Sequence, residues 1–254
     1  MIGYVLCDID DTVTTEGRLT AQAYQTMQDL HEAGILVIPI TGRPAGWCDH
    51  IARMWPVTAV VGENGAFFMR YDHAAHKMQQ QFWTDAVTQR LNRQKLDQLA
   101  ETILANVPGC ALASDQPYRM ADLAIDFCED VVPLPESSVQ AIVAHFEAAG
   151  ATAKVSSIHV NGWFGQYDKL AMTRRLFKEL FGQTVEELQD HVLFIGDSPN
   201  DAPMFEFFDN SVGVANVKEQ LHRLEQLPKY VCQARTGAGF AEMGRYLLDA
   251  RKSA

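Results

Sequence analysis

Two aspartates one residue apart, Asp8 and Asp10, stand where the apolar run Tyr4-Val5-Leu6-Cys7 meets polar sequence. In an extended chain, residues i and i+2 project to the same side with Cα atoms roughly 7 Å apart, which leaves room for a phosphorus atom and a metal between the carboxylates. A carboxylate beside a divalent cation can attack phosphate, because the cation cancels the repulsion between two anions. In this reading Asp8 is the nucleophile, and Asp10 protonates the departing oxygen and later takes a proton from the attacking water. The alternative is an acidic loop, Asp8-Ile9-Asp10-Asp11-Thr12, that only satisfies backbone N–H groups.

A second apolar run, Val192 to Ile195, is followed by Gly196-Asp197-Ser198-Pro199-Asn200-Asp201. If both runs are strands of one parallel sheet, their tips share an edge about 4.8 Å apart, and Asp197 can face Asp8. Such a hard oxygen site suits Mg²⁺, which takes one or two carboxylates plus substrate phosphate and keeps several waters. Asp8 and Asp197 would supply side chains and Asp10 its backbone carbonyl. Asp201 reads as a holder of metal-bound water, as an orienting partner for Lys169, or as a carboxylate at a helix N-terminus. For the phosphate oxygens, Thr41 offers a hydroxyl and Gly42 a loop that backbone N–H groups can approach. Arg43 reads as a substrate clamp, a surface residue or an ion-pair partner. Lys169 supplies a fixed cation that offsets the charge on phosphate and nucleophile.

These residues need a scaffold that brings strand tips together. Thr20 reads as the N-cap of a helix with Ala23, Met27 and Leu30 on one face, and Gly34 closes it before the run Ile35 to Ile40. Trp47, Ile51 and Met54 mark the face of the next helix, Pro56 stops it, and Thr58 to Val61 is a third strand. The alternation predicts an α/β core with a doubly wound parallel sheet, covered by helices on both faces. From Asp72 to Gln166 the pattern changes to long helices around Leu91, Leu96, Leu99 and Ile103 and around Val139, Ile142, Val143 and Phe146. Strand-like stretches lie between and after them, and Ala153 to Ser156 with Ile158 to Asn161 predict a hairpin. Residues 72–166 thus read as an inserted α+β unit, and 1–71 with 167–254 as a discontinuous core. A helix from Asp168 to Phe181, another through Met204 and Phe207, and a closing one from Phe240 to Ala250 complete the core.

The chain of 254 residues carries 21 Lys and Arg against 32 Asp and Glu, a net charge of −11, which argues against general attraction to nucleic acid or an anionic membrane. No apolar run reaches the length of a membrane span and the first residues do not resemble a signal peptide, so a cytoplasmic protein is expected. The five cysteines form no C-x-x-C pair and read as small apolar residues, not as a zinc site or a disulfide framework.

The ordered set Asp8-Ile9-Asp10-Asp11-Thr12, Thr41-Gly42-Arg43, Asn64-Gly65-Ala66, Lys169 and Gly196-Asp197-Ser198-Pro199-Asn200-Asp201 resembles the haloacid dehalogenase superfamily. The match is to subclass IIB, the branch with a large α/β cap after the third core strand. It includes Cof-type sugar phosphatases and the sucrose-phosphate, trehalose-phosphate and mannosyl-phosphoglycerate phosphatases, and the resemblance spans the whole chain. It implies a Rossmann-like core with a C2B-type cap, nucleophile Asp8, acid/base Asp10, and Mg²⁺ at Asp8, Asp10 and Asp197. It also implies phosphate contacts at Thr41, Lys169 and Asn200, and substrate choice set by the cap. Asp11 departs from the pattern, standing where the family usually has glycine. Thr14 to Arg18 would form the flap. In the cap, Arg119, Lys154, Ser156, Ser157, His159 and Asn161 are polar candidates for substrate contact, each also readable as surface or local backbone bonding. Trp163 and Phe164 read as a sugar-stacking pair or as packing. The expected activity is a phosphatase acting on a small phosphorylated metabolite, a sugar phosphate by resemblance, as a monomer or homodimer. A phosphomutase using the same intermediate and a non-catalytic sugar-phosphate sensor are the rivals.

Overall fold

The computed structural model describes residues 1–156, 158–220, 224 and 226–253. The chain runs β1 (Tyr4–Cys7), β2 (Thr14–Thr15), β3 (Arg18–Leu19), α1 (Ala21–Glu32), β4 (Leu36–Pro39), α2 (Ala45–Met54), β5 (Val60–Gly62), β6 (Phe67–Asp72), β7 (Lys77–Phe82) and α3 (Ala86–Asn106). It continues through β8 (Ala111–Leu112), β9 (Leu123–Asp126), α4 (Glu136–Ala148), β10 (Thr152–Val155), β11 (His159–Trp163), α5 (Lys169–Phe181), β12 (Val192–Gly196), α6 (Ala202–Phe207), β13 (Asn210–Gly213), β14 (Tyr230–Val231) and α7 (Thr236–Lys252).

A parallel sheet forms in the order β14-β13-β12-β1-β4, and a bridge between Ile40 and Val61 brings β5 to its outer edge. Because β1 lies inside the sheet, the chain winds outward from it in both directions. Alternate strand residues serve opposite faces. Leu6, Ile38 and Phe194 pack with Met172 and Leu176 of α5 and Phe205 of α6. Val5, Val37 and Ile195 pack with Met27 and Leu30 of α1 and Phe240 of α7. Burial on both faces is why β1, β4 and β12 read as unbroken apolar runs, and the expected doubly wound α/β core is what they build.

The inserted segment forms a four-stranded antiparallel sheet, β10-β11-β9-β8. Helices α3 and α4 join it around Leu96, Ile103, Ile142, Phe146 and Val160. The expected hairpin is β10 with β11. Residue 72, where the sequence reading begins the insert, falls beside the turn of another hairpin: β7 pairs with β6 from Asp72–Lys77 to Phe67–Phe82, and β6 pairs with β5. The strands β6 and β7, like β13 and β14, are not legible in the reading.

Helix α2 buries a different face from the expected one. Ala45, Cys48, Ile51 and Ala52 pack inward with Val60, Phe67 and Met69, whereas Trp47 and Met54 are 43% and 64% exposed. The small residues let α2 lie close to β5 and β6, and that close approach decides the face. Cys7, Cys48 and Cys232 are buried and Cys110 and Cys128 partly exposed, all as free thiols. Among the described residues no helix is long and apolar enough to cross a membrane.

Candidate active site

The sheet register sets Cys7 beside Pro39 and Ile195, and the Asp8 N–H donates to the Ile195 carbonyl at 2.9 Å. Asp8, Thr41 and Asp197 therefore leave the sheet together on one edge, as parallel strands require. Asp8, Asp197 and Asp201 each bring a carboxylate oxygen within 4.8 Å of the other two, and all three residues are buried. Lys169 Nζ lies 2.9 Å from Asp8 Oδ1 and 2.7 Å from Asp201 Oδ1. Asp8 and Asp201 thus share one ammonium in a desolvated place, with the Asp197 carboxylate beside them. Burial, with the Asp201 and Asp10 charges adding and Lys169 opposing, pushes the Asp8 carboxyl up to about 7. Burial and the Asp8 charge hold Asp197 well above the usual carboxylate range. An all-oxygen set short of positive charge fits a hard divalent cation. The Asp10 carboxylate lies outside this cluster, forked onto Arg43.

Each member is held by its neighbours. Asp201 does two of the things the sequence left open: Oδ1 bonds Lys169, and Oδ2 accepts the N–H of Asp197 and of Ser198 in a reciprocal capping box. Asp197 accepts from Thr12 Oγ1 and Asn216 Nδ2, both at 3.1 Å. Lys169 opens α5, whose N-cap Asp168 accepts from Ala171 N–H. The loop after β5 packs backbone to backbone on that helix start. At Gly65 φ is +107°, and a Cβ there would fall 2.1 Å from the Asp168 carbonyl oxygen, so only glycine fits. Asp11 has φ +54°, the left-handed region that glycine adopts freely and aspartate tolerates, which accounts for both the usual residue and this one. Its carbonyl accepts from Asn216 Nδ2 at 3.0 Å. The segment expected to form the flap folds as the small hairpin β2–β3, closed by Glu16 and Gly17, both at positive φ.

Thr41 is fully buried, and its Oγ1 accepts the Arg43 N–H at 3.0 Å. The Gly42 carbonyl accepts from Arg119 at 2.9 Å, which ties this loop to the inserted unit. Arg43 is not a surface residue. Its Nε lies 3.0 Å from both Asp10 oxygens, its Nη atoms lie 3.5 Å from Asp115 and 3.6 Å from Glu129, and its guanidinium stacks 4.5 Å from the Trp47 ring. The ion-pair reading forms, and Arg43 also lines the cavity over Asp8. Asn200 is half-buried, accepts from Ser198 Oγ at 2.6 Å, and lines the cavity over Asp8.

The cap candidates separate. Arg119 is buried between Asp115 and Asp122, not exposed. His159 is buried, its Nε2 2.8 Å from Glu129 Oε2 but poorly aligned for a hydrogen bond. The solvent-facing reading of His159 fails because all of β11 is buried, so alternation along that strand carries no information about solvent. Asn161 donates to Asp122, and Ser156 bonds locally to the His159 backbone. Lys154 is exposed beside the wide cleft next to Asp197, and Ser157 lies outside the described residues. Trp163 is buried, stacked on Tyr167 at 5.5 Å, which is packing.

Two residues escaped the sequence reading. Glu63 is fully buried at the tip of β5, and its carboxylate accepts four backbone N–H groups: Ala45 at 3.0 Å and Met120 at 2.9 Å on Oε1, Ala121 at 2.6 Å and Asp122 at 3.0 Å on Oε2. It links the core to the inserted unit, and its only signal is its place in Gly62-Glu63-Asn64-Gly65 after an apolar run. Asn216 likewise follows the short run Val212-Gly213-Val214.

The sequence model of the haloacid dehalogenase-like hydrolases matches residues 5–116 and 165–242. No curated protein sequence matches. Among solved structures, Thermoplasma acidophilum 0175 is similar at 18% identity and TM-score 0.73, covering 97% of this chain and 98% of that one. A haloacid dehalogenase-like hydrolase from Bacteroides thetaiotaomicron is similar at 16% identity and TM-score 0.67, with 97% and 100% covered. The sucrose-phosphatase of Synechocystis sp. PCC6803, solved with sucrose and phosphate, is similar at 16% identity and TM-score 0.65, with 97% and 98% covered. At these identities the structures speak for the fold, and the sequence model, which spans most of the core, speaks for descent: the chain belongs to the haloacid dehalogenase-like hydrolase family.

Proposed function

We propose that the protein is a Mg²⁺-dependent phosphatase that passes the phosphoryl group of a small phosphorylated metabolite to Asp8 and then to water. The observation that carries this reading is the Asp8 carboxylate at a strand tip, clustered with Asp197 and Asp201 and bonded to Lys169 at 2.9 Å. Asp8 and Asp197, with Asp201 and the Asp10 carbonyl in support, would hold the metal, which supplies the charge that lets one anion approach another. Lys169 fixes the orientation of Asp8 and adds a second positive charge beside the phosphate. Asp8 forms a bond to phosphorus as the ester P–O bond breaks, and Asp10 gives its proton to the departing oxygen. Water then attacks the phosphorus of the aspartyl-phosphate, Asp10 takes its proton, and the bond to Asp8 breaks. Both Asp10 oxygens face Arg43 here, so one must leave that fork when the proton is transferred.

The cavity over Asp8 measures about 30 Å³, room for a water or two. A phosphate ester therefore reaches Asp8 only as the cap lifts, and closure behind it excludes bulk water. The likeness to a sucrose-phosphatase supports sugar phosphates as the first class to try, and the net charge of −11 supports a small metabolite over nucleic acid or membrane. Phosphate release from a panel of sugar phosphates and phosphoglycerate derivatives tests the reading, with Mg²⁺ or EDTA and with Asp8→Asn as control. Metal-dependent release that vanishes in the variant is the expected result. An isomeric product without free phosphate would make the protein a mutase, and binding without turnover would make it a sensor.

A further inference from the structure

Asp10 lines two spaces. One is the small cavity over Asp8, and the other is a groove of about 590 Å³ between the flap and α2. The leaving group of a phosphate ester held at Asp8 departs on the Asp10 side, because Asp10 is the group that would protonate it. Asp10 is the residue the two spaces share, so the groove is the space on the leaving-group side that can take the rest of the substrate.

Its walls are rings. Trp47 and Trp55 come from α2 and its end, and Tyr118 comes down from the inserted unit. Trp47 shields the Arg43 guanidinium with one face at 4.5 Å, yet the residue stays 43% exposed. Tyr118 is 59% exposed. A tryptophan and a tyrosine kept this open beside a buried polar site is a cost in water unless something covers them. The approach of Tyr118 to α2 depends on Gly46, where a Cβ would lie 3.0 Å from the Tyr118 Cβ. Ile9, Leu19 and Ile51 add apolar surface, and His50 and Thr14 are the polar side chains beside Asp10.

We infer that this groove holds the leaving group, and that the group is a ring with an apolar face, either a cyclic sugar or an aromatic ring, stacked on Trp47 and Tyr118. The inference rests on the phosphatase reading for the position of phosphorus at Asp8, but not for the groove itself. Its lining includes the Asp10 carboxylate and neither lysine nor arginine, so an acyclic, anionic group such as a glycerate finds no fixed cation there, whereas the rings offer faces for stacking. Trp163, the ring that the sequence suggested for stacking, is 1% exposed and out of reach.

The test compares phenyl phosphate, glucose 6-phosphate and glycerol phosphate on the native chain, Trp47→Ala, Trp47→Phe and Tyr118→Ala. The expected result is that the ratio of kcat/KM for ring esters over glycerol phosphate falls roughly 10-fold in each alanine variant, mainly through KM, with recovery in Trp47→Phe. An unchanged ratio in both alanine variants overturns the inference, even if all activity falls through Arg43. Which ring ester shows the larger change identifies sugar or aromatic. Calorimetric binding of the same three compounds to Asp8→Asn with Mg²⁺ separates the two readings. Trp47-dependent preference for ring ligands without turnover by the native protein would sink the phosphatase and keep the groove, whereas turnover with no ring preference would do the reverse.

Discussion

Replacing Lys169 with methionine removes one charge while keeping most of the side-chain length. Lys169 is 2% exposed and bonds Asp8 at 2.9 Å and Asp201 at 2.7 Å, so the variant leaves three buried carboxylates facing one another without a cation. Removing one partner of a buried pair costs about 3–5 kcal/mol. For a chain of this size each kcal/mol lowers Tm by about 2–4 °C, so the expected loss is about 6–20 °C. The loss depends on pH. In the native protein Asp8 is already raised from 3.8 to about 7 by burial, so its protonated form is favoured in the fold. The stability it contributes is present at acid pH and is lost as pH rises through about 7. Without Lys169, which lowers it, that value climbs further, so the variant relieves its deficit by holding a proton, and the deficit is smaller at pH 6 and grows towards pH 8. Mg²⁺ supplies the missing positive charge and should restore much of the deficit at pH 8. Thermal unfolding of both proteins at pH 6 and pH 8, each in EDTA and in millimolar Mg²⁺, reads all four conditions. Equal melting temperatures at pH 8 in EDTA, or a deficit indifferent to both pH and Mg²⁺, would refute the electrostatic account of this cluster.

Gly65→Ala forces a Cβ to 2.1 Å from the Asp168 carbonyl and must displace the start of α5 with Lys169, so kcat should fall by roughly 100-fold, seen by steady-state kinetics on any accepted ester. Asp11→Gly removes the left-handed strain of φ +54° but frees the unfolded chain, two effects of about 1 kcal/mol that oppose each other. Urea unfolding should therefore place the variant within about 1 kcal/mol of the native protein, and a larger loss would show that the Asp11 side chain has a structural task. Glu63→Ala takes the acceptor from the N–H groups of Ala45, Met120, Ala121 and Asp122, and hydrogen exchange at these four should rise by roughly 10-fold or more while β1 and β12 stay protected. Unchanged exchange at 120–122 would mean that the cap is held elsewhere.

The core was legible because its strands are buried on both faces. Tyr4 to Cys7 and Val192 to Ile195 read as short apolar runs ending in acids, and they fold as the strands Tyr4–Cys7 and Val192–Gly196. Thr20 and Asp168 cap α1 and α5 as their residue types suggest. Burial is not legible where neighbours, not period, decide it. Helix α2 turns on its small residues instead of Trp47 and Met54, and β6 with β7 carries a mostly polar, exposed hairpin strand, Lys77–Phe82, that has no apolar alternation to detect. Asp115, Asp122 and Glu129 are acids without a spacing signal, and what gathers them around Arg43 and Arg119 is the docking of the insert.

By itself the sequence determined which residue types stand at the strand tips, since a strand's end is fixed by where its apolar run stops. That placed Asp8, Thr41 and Asp197 on one edge before any coordinate was needed. Only the tertiary structure decided what each polar group faces. Arg43 binds Asp10, Arg119 and Glu63 join cap to core, and Trp47 is left open to the groove. Local sequence sets the direction of a side chain relative to its own element, whereas these partners come from other elements, Asp10 at 33 residues from Arg43, Gly42 at 77 from Arg119 and Ala121 at 58 from Glu63, brought there by packing that no local pattern encodes.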